Sequence, residues 1–322
     1  MELPAPFCIS RENRCVSFIR EYEQEDIQVN GQAELVMDAQ AIIGEGPHWD
    51  HAQGRLYWVD IESKEMRVYD AITRTEQIHT FEQRVSAVVP AAEGGWILAL
   101  QDGIYSFKEH QQPELIYTVE ADLPGNRLND AKCDSAGRLW FGTMSMDGTP
   151  QAGSLYVMET NGKVRRVFTD IGTSNGLAWD DSRGLMYYID TATGGVDVMN
   201  YDRHTGEVSG RKQVCKLQEG AGFPDGMTID SEGMIWVAHW GGACVSRWNP
   251  LTGEQIGVIE VPAMNVTSCA FGGEHLDELY ITTARNGMNA EQLERWPLTG
   301  GLFKAKLDVK GVPADVFGGK GV

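Results

Sequence analysis

The sequence predicts an all-β fold, a six-bladed β-propeller with four-stranded antiparallel blades and a ring closed by an N-terminal strand. Three observations predict it. A turn followed by an aromatic or aliphatic strand recurs six times, each repeat has room for four short strands, and one extra strand precedes the first repeat. Repeats of about 40–50 residues with this content are typical of propeller blades.

The recurring strand sets the period of the repeat. Its starts are separated by 41, 42, 47, 49 and 44 residues. After each one, turn residues and short apolar runs predict a third and a fourth strand. The six starts are Gly54, Gly95, Gly137, Gly184, Gly233 and Asp277.

A six-residue sequence motif, here called the phrase, precedes this strand in four repeats, at residues 45–50, 129–134, 175–180 and 225–230. A carboxylate or carboxamide, here called the opener, begins the phrase, and an Asp closes it. We interpret the phrase as the innermost strand of each blade. Each closing Asp is expected to cap the turn that follows, because Asp side chains accept bonds from nearby backbone N–H groups. The closing residues are Asp50, Asp134, Asp180 and Asp230.

Outside the repeats, the extra strand Glu34 to Met37 is expected to complete the sixth blade, which would hide open sheet edges. Residues 34–322 are therefore assigned to the propeller domain and residues 1–33 to an N-terminal extension of unclear role. Residues 285–300 form the longest insertion, and we expect there a short helix capped by Asn289, in a candidate lid.

Composition limits the function classes. The net charge of −19 argues against partners such as nucleic acid and anionic membrane, which require a basic face. No run is long and apolar enough to span a bilayer, and no signal peptide is evident. The six cysteines form no CxxC pair, which favours a reduced, cytoplasmic protein. No obligate protein partner is evident.

The openers predict a binding site. If the phrases are equivalent innermost strands, their first residues meet at one mouth of the central channel. Taken singly, each opener is better explained by a turn, but convergence of four favours a site. Their oxygen donors suit a divalent ion, and no His or Cys cluster competes. The four openers are Glu45, Asn129, Asn175 and Asp225; Ser86 and Thr267–Ser268 stand at similar places in the other two blades.

Further residues are expected near this mouth. Arg127, two residues before Asn129, is favoured as a substrate contact over a surface arginine. His48 is favoured as a core histidine, whereas the role of His239 stays open. The residues at or just after the ends of the second strands would surround the pocket: Asp60, Thr143, Asp147, Asp190 and His239. Structural roles are favoured for Asp60 and Asp190.

These residues resemble the senescence marker protein (regucalcin)/gluconolactonase family of six-bladed propellers, over about residues 34 to 310. The matching phrases are Gly44-Glu-Gly-Pro47, Arg127-Leu-Asn-Asp130, Gly137-Arg-Leu-Trp-Phe-Gly-Thr-Met144, Ser174-Asn-Gly-Leu-Ala-Trp179, Pro224-Asp-Gly-Met227, Ser268-Cys-Ala-Phe-Gly-Gly273 and Gly300-Gly-Leu-Phe303.

The resemblance implies roles for individual residues. The family's metal ligands fall on Glu45, Asn175 and Asp225, and Asp225 would also be the general base. The family's substrate-binding residues fall on Arg127 and Asn129. Asp147 stands where animal members carry a Glu that contacts the sugar, and its shorter side chain puts the substrate preference in doubt.

The resulting hypothesis is a metal-dependent hydrolase that opens a sugar lactone to the aldonic acid, with one divalent ion, Ca²⁺, Zn²⁺, Mg²⁺ or Mn²⁺. Three alternatives stay open. A propeller esterase or phosphotriesterase would favour an apolar pocket, whereas Arg127 and Asn129 suggest a hydroxylated substrate. A non-catalytic calcium-binding regulatory protein would need neither residue, and a protein-binding scaffold would not need converging openers.

Overall fold

The computed structural model describes residues 29–319 and is nearly all-β. Six sheets form the blades of a six-bladed propeller, as the sequence predicts. The first strand of each blade contacts the first strand of the next, and the sixth contacts the first, so these six strands line the central channel.

The first half of the chain forms blades one to three, preceded by two short strands. Those two strands are β1 (Val29–Gln32) and β2 (Glu34–Met37). Blade one consists of β3 (Gly44–Asp50), β4 (Arg55–Asp60), β5 (Glu65–Asp70) and β6 (Thr75–Thr80). Blade two consists of β7 (Val85–Pro90), β8 (Trp96–Leu100), β9 (Gly103–Phe107) and β10 (Glu114–Thr118). Blade three consists of β11 (Asn126–Cys133), β12 (Leu139–Ser145), β13 (Gly153–Met158) and β14 (Val164–Ile171).

The second half forms blades four to six, together with two short helices. Blade four consists of β15 (Ser174–Asp180), β16 (Leu185–Asp190), a 3₁₀ helix (Thr191–Thr193), β17 (Gly195–Asp202) and β18 (Glu207–Lys216). Blade five consists of β19 (Phe223–Ile229), β20 (Ile235–Trp240), β21 (Cys244–Asn249) and β22 (Glu254–Glu260). Blade six consists of β23 (Asn265–Gly272), β24 (Glu278–Ala284), the helix α1 (Ala290–Arg295) and β25 (Leu302–Lys306).

The ring closes as predicted, because β2 pairs antiparallel with β25 and supplies the outer strand of blade six. An unpredicted addition lies next to it in the chain. Strand β1 pairs parallel with β22, so blade five has a fifth strand. Residues 1–28 lie outside the described residues, and the assignment of residues 1–33 as a separate extension stays a prediction.

The closing aspartates cap turns, as predicted. These turns lie at the end of the blades opposite the openers, here called the lower end. Each aspartate accepts a backbone N–H two or three residues later through its side-chain oxygen. Asp134 and Asp230 also accept the indole N–H groups of Trp140 and Trp236 at 2.9 Å. One residue type therefore fixes the hairpin turn and orients the tryptophan that packs within the blades.

The core lies between and within the blades rather than at one centre. Three tryptophans of the second strands, Trp58, Trp140 and Trp236, are fully buried. A buried ion pair accompanies the last of them. Arg247 lies 2.7 Å from Asp230, and both side chains have no exposed surface.

The remaining C-terminal residues lie across the lower face. The backbone of Ser231, in blade five, donates to Lys310, and that of Ala92, in blade two, donates to Phe317. Gly318 continues to Gly137 of blade three. This C-terminal strap (residues 307–319) thus joins three blades at the lower mouth of the channel.

The described cysteines, Cys133, Cys215, Cys244 and Cys269, are free thiols; Cys8 and Cys15 lie outside the described part of the chain. Within residues 29–319, no helix has the length and apolarity needed to cross a membrane. The predicted helix exists, with Asn289 in a capping box with Gln292.

Candidate functional site

A β-bulge places the openers in the upper mouth of the channel, opposite the strap. In every blade, the pairing between the first and second strands shifts register at or beside the opener or the equivalent residue. A bulge re-aims side chains that would otherwise alternate between the two faces of a sheet. The repeat therefore builds a ring of inward-facing positions at one level of the channel.

Two glycines in these bulges have no space for a side chain. A Cβ on Gly226 would lie 2.1 Å from Oγ of Ser268, and one on Gly176 would lie 2.8 Å from the carbonyl oxygen of Asp225. The strands of blades four, five and six thus approach one another closely beside the openers. This packing accounts for the Gly that follows Asn175 and Asp225.

Openers that carry a donor link one blade to the next. In each link, the acceptor is the backbone carbonyl of the residue just before the next opener, at 2.6–2.9 Å. Glu45 and Asp225 cannot make such a link while ionised, because a carboxylate is only an acceptor. The links run from Ser86 to Leu128, from Asn129 to Ser174, from Asn175 through Thr191 to Pro224, and from Thr267 to Gly44.

Three of the predicted site residues form one hydrogen-bonded chain. Arg127 donates from Nη1 to Oδ1 of Asn129 at 2.7 Å, and Asn129 donates from Nδ2 to Oδ1 of Asn175 at 3.2 Å. All three are buried. The structure therefore joins the two predicted substrate-binding residues to one predicted metal ligand.

The other two predicted ligands interact through their charges. Burial, and then Asp130, raise the pKa of Glu45 to about 8. Burial also raises the pKa of Asp225 well above its usual range, with further contributions from Glu45 and Asp130. Three buried carboxyl groups therefore disfavour one another's ionisation, and a cation placed between them would relieve this repulsion.

Two cations partly compensate these carboxylates. Burial lowers the pKa of Arg127 to about 10, opposed by the charges of Glu62, Glu45 and Asp225. Lys132 lies on the same strand as Asn129 and donates from Nζ to the carbonyl oxygen of Met227 at 2.6 Å. Burial lowers the pKa of Lys132 as well, opposed first by the charge of Asp130.

Asp130, Lys132 and Glu62 were not predicted from the sequence. A signal for Asp130 was present, because it follows the opener Asn129 where the three other phrases have Gly46, Gly176 and Gly226. Lys132 is a lysine at the position where the other three phrases have His48, Ala178 and Thr228. Glu62 had no such signal, since it follows the second strand of blade one and reaches the mouth only through the fold.

The donor set of the upper mouth fits a hard divalent ion. Glu45, Asn175 and Asp225 offer two carboxylates and one amide oxygen, the ligand types that Ca²⁺, Mg²⁺ and Mn²⁺ prefer. No group of three or more His, Cys, Asp and Glu side chains suited to a metal occurs among residues 29–319. The amide oxygen of Asn175 and water would therefore have to complete the coordination.

The predicted residue Asp147 stands apart from this set. It is exposed, and its carboxylate accepts from Ser145 Oγ and from the backbone and hydroxyl of Thr149. These bonds within its own turn lower the pKa of Asp147 to about 2. Its part in substrate binding stays a prediction.

The other residues expected at the strand ends make internal contacts. Asp60 accepts backbone N–H groups of residues 42 and 43, and Asp190 accepts those of residues 172 and 173, consistent with the structural roles favoured for them. Thr143 donates to Glu120. Both ring nitrogens of His239 are engaged, one with the carbonyl oxygen of Ala221 and one with Ser246 Oγ, at 2.7 and 2.6 Å.

Comparisons with known proteins match the chain to one family. Residues 43–285 match the family described as SMP-30/Gluconolactonase/LRE-like region. A Bacillus subtilis (strain 168) protein named as a sugar lactone lactonase, YvrE, is 41% identical over 290 residues, covering 89% of this chain and 99% of that protein. Regucalcin of Macaca fascicularis is 37% identical over 293 residues, covering 89% and 98%.

A solved structure shares the fold closely. It is that of a calcium-binding protein, regucalcin, from Agrobacterium tumefaciens str. C58, with a TM-score of 0.85 and 28% identity. The match covers 90% of this chain and 98% of that one.

Proposed function

The chain belongs to the SMP-30/gluconolactonase/LRE-like family, and on that basis we propose that it is a metal-dependent hydrolase that opens a sugar lactone to the corresponding aldonic acid. The observation that carries the proposal is the upper mouth itself. Two buried carboxylates, Glu45 and Asp225, face the hydrogen-bonded chain of Arg127, Asn129 and Asn175. This arrangement supports the proposal, because carboxylates suited to a cation lie beside donors suited to an oxygen-rich substrate.

In this proposal Glu45, Asn175 and Asp225 hold one divalent ion. When bound, the ion would supply a Lewis acid for the carbonyl oxygen of the lactone. Ca²⁺, Mg²⁺ and Mn²⁺ suit the oxygen donors best, and Zn²⁺ is also a candidate. The name of the Agrobacterium relative, a calcium-binding protein, supports Ca²⁺.

Asp225 would act as the general base. It would take a proton from the water whose oxygen attacks the carbonyl carbon, and the bond from that carbon to the ring oxygen would then break. The same proton would return to the leaving ring oxygen, which becomes the hydroxyl of the aldonic acid. General-base assistance of this kind contributes about 10²–10⁴-fold to the rate.

Arg127 and Asn129 would orient the substrate. Because Arg127 is buried, its guanidinium keeps a fixed position and can donate to ring or hydroxyl oxygens without first being ordered. Asp147 would contact hydroxyl groups from the rim, after leaving part of its own turn. The substrate would then be a small, hydroxylated lactone, with no nucleic acid, membrane or obligate protein partner involved.

An assay of lactone opening tests the proposal. A panel of aldonolactones is followed with a pH indicator, with Ca²⁺, Zn²⁺, Mg²⁺ or Mn²⁺ added to chelator-treated protein. We expect acceleration that requires the added ion. Metal binding without acceleration for any lactone would instead favour the calcium-binding regulatory alternative.

A further inference from the structure

One ion pair at the upper mouth has no part in the proposed mechanism. Arg84 donates from Nε to Oε1 of Glu62 at 2.8 Å and from Nη2 to Oε2 at 3.0 Å. The two side chains are 33% and 29% exposed, so each remains accessible to a ligand. The pair is a bidentate contact between blades one and two.

The position of Arg84 in its blade matches that of Arg127 in the next. Arg84 stands two residues before Ser86, and Arg127 stands two residues before Asn129. Ser86 Oγ donates to the carbonyl oxygen of Leu128 at 2.7 Å, which holds these two strand starts against each other. The repeat thus brings the partly exposed Arg84 close to the buried Arg127.

The electrostatics of Arg127 agree with this proximity. Among the charges that raise its pKa, that of Glu62 has the largest effect, and the charge of Arg84 lowers it. Glu62 therefore lies close enough to Arg127 to affect a group that would bind substrate.

Further contacts hold the guanidinium of Arg84 in place. Nη1 donates to Oε1 of Gln101 at 3.1 Å and lies 3.7 Å from Sδ of Met146. Met146 precedes Asp147, the predicted substrate contact in blade three. The Arg84–Glu62 pair is thus fixed between three blades beside the predicted substrate residues.

We propose that Arg84 and Glu62 determine specificity, by selecting lactones with an uncharged, hydroxyl-bearing tail over lactones that carry a phosphate or carboxylate. This inference rests on the proposed lactone hydrolysis. Arg84 donates to a hydroxyl oxygen of the tail, and Glu62 accepts the proton of a hydroxyl group. Glu62 already occupies the Nε–Nη2 edge, through which arginine binds an anion bidentately, and its own charge repels one.

The test compares two substrates that differ in one charged group. The full-length, metal-loaded protein is assayed with D-glucono-1,5-lactone and with its 6-phosphate, and kcat/KM is determined for each. We expect the wild type to prefer the uncharged lactone. Glu62→Gln removes the charge at nearly constant size and should reduce this preference about three- to tenfold, through a higher kcat/KM for the phosphate.

A third substrate isolates the contribution of Arg84. The lactone of 5-hydroxypentanoic acid has no free hydroxyl group. Arg84→Met should lower kcat/KM for D-glucono-1,5-lactone at least about threefold more than for this unsubstituted lactone. An equal loss for both substrates would indicate that Arg84 only stabilises the fold and would overturn its assignment.

Asp70→Asn provides a matched control. Asp70 pairs with Arg55 in the same blade but at its lower end, and this change should leave the preference unaltered. If the wild type opens D-glucono-1,5-lactone but Glu62→Gln keeps the wild-type preference, the specificity inference is wrong and the proposed function stands. If the wild type opens none of the lactones with any ion, both are wrong.

Discussion

Asn129 donates a hydrogen bond to Oδ1 of Asn175 across the boundary between blades three and four, at 3.2 Å. A predicted substrate-binding residue thus orients the amide oxygen that is predicted to bind the ion. Asn175 is held on its other side by Thr191, at 2.9 Å. The predicted metal and substrate sites are therefore coupled through one pair of amides, and a change in either amide should affect both.

Asn129→Ala should weaken metal binding although Asn129 is not a predicted ligand. Loss of a partner that orients a metal ligand costs about 10–100-fold in affinity. Calorimetric titration of chelator-treated protein with Ca²⁺ or Mn²⁺ measures the effect. Ser86→Ala removes a comparable link between blades without touching Asn175 and should keep the wild-type affinity. An unchanged affinity in Asn129→Ala would show that the bond to Asn175 does not orient the ligand oxygen.

Asp225→Asn should abolish most of the hydrolysis. The amide cannot take the proton of water, so we expect kcat/KM to fall about 10²–10⁴-fold at saturating ion. Asp180→Asn is the matched control, since Asp180 caps a turn at the lower end of blade four, and an amide oxygen can accept the same N–H group. Full activity in Asp225→Asn would remove the general-base assignment and leave the rest of the proposal in place.

Removal of the ion should lower the stability of the protein. An ion that binds only the folded state adds about 2.7 kcal/mol to the free energy of unfolding at 100 times its Kd. Thermal unfolding with chelator and with each added ion measures the difference. In Asn175→Ala the added ion should stabilise the fold less, and an undiminished stabilisation would exclude Asn175 as a ligand.

Acid should destabilise the fold through His48. Burial, followed by the charge of Lys132, lowers the pKa of His48 to about 4, from 6.5. The unfolded chain therefore binds a proton at higher pH than the folded protein does. The stability associated with neutral His48 is fully present above about pH 6.5 and is lost as the pH falls toward 4. This loss amounts to about 3 kcal/mol.

The measurement is the free energy of unfolding of His48→Gln minus that of the wild type between pH 7 and pH 4, because this difference cancels the opposite effect of buried carboxyl groups such as Glu45. The difference should shift in favour of His48→Gln by about 3 kcal/mol as the pH falls, whereas His51→Gln, which changes an exposed neighbour, should follow the wild type. Equal slopes in wild type and His48→Gln would show that another group causes the acid sensitivity.

Arg247→Met should destabilise the fold strongly, because it leaves the buried carboxylate of Asp230 without its cation. Removal of one partner from a buried pair costs about 3–5 kcal/mol. Arg203→Met is the control, since Arg203 pairs with Asp181 and the two side chains are 57% and 36% exposed. Pairs near the surface contribute about 0–1 kcal/mol. Similar losses in the two variants, measured by urea unfolding, would contradict this reasoning.

The sequence predicted the ring because its signals are local and repeated. The closing aspartates and the strands that follow them lie within about ten residues of one another, so the repeats could be aligned with one another. The pairing of β1 with β22 and the path of the C-terminal strap depend on contacts between distant segments. Neither has a repeat against which it can be compared.

The site could be predicted where its residues recur in the repeat or match the motifs of the family. The openers share a register position, and their meeting at one mouth follows from six equivalent bulges. Asp130 was missed because it replaces a glycine of the repeat, and only the fold shows that its carboxylate lies among the other two. Glu62 lies outside the phrases and reaches the site from a neighbouring blade.

The pairing of β2 with β25 has a consequence for biosynthesis. Ribosomes make Glu34 long before they make its partner Lys304, so β2 has no strand to pair with until nearly the whole described chain has emerged. Until then, strand edges at both ends of the growing ring can pair with other chains. A pause in translation, or truncation within blade six, should therefore favour aggregation much more than the stability of the finished protein would suggest.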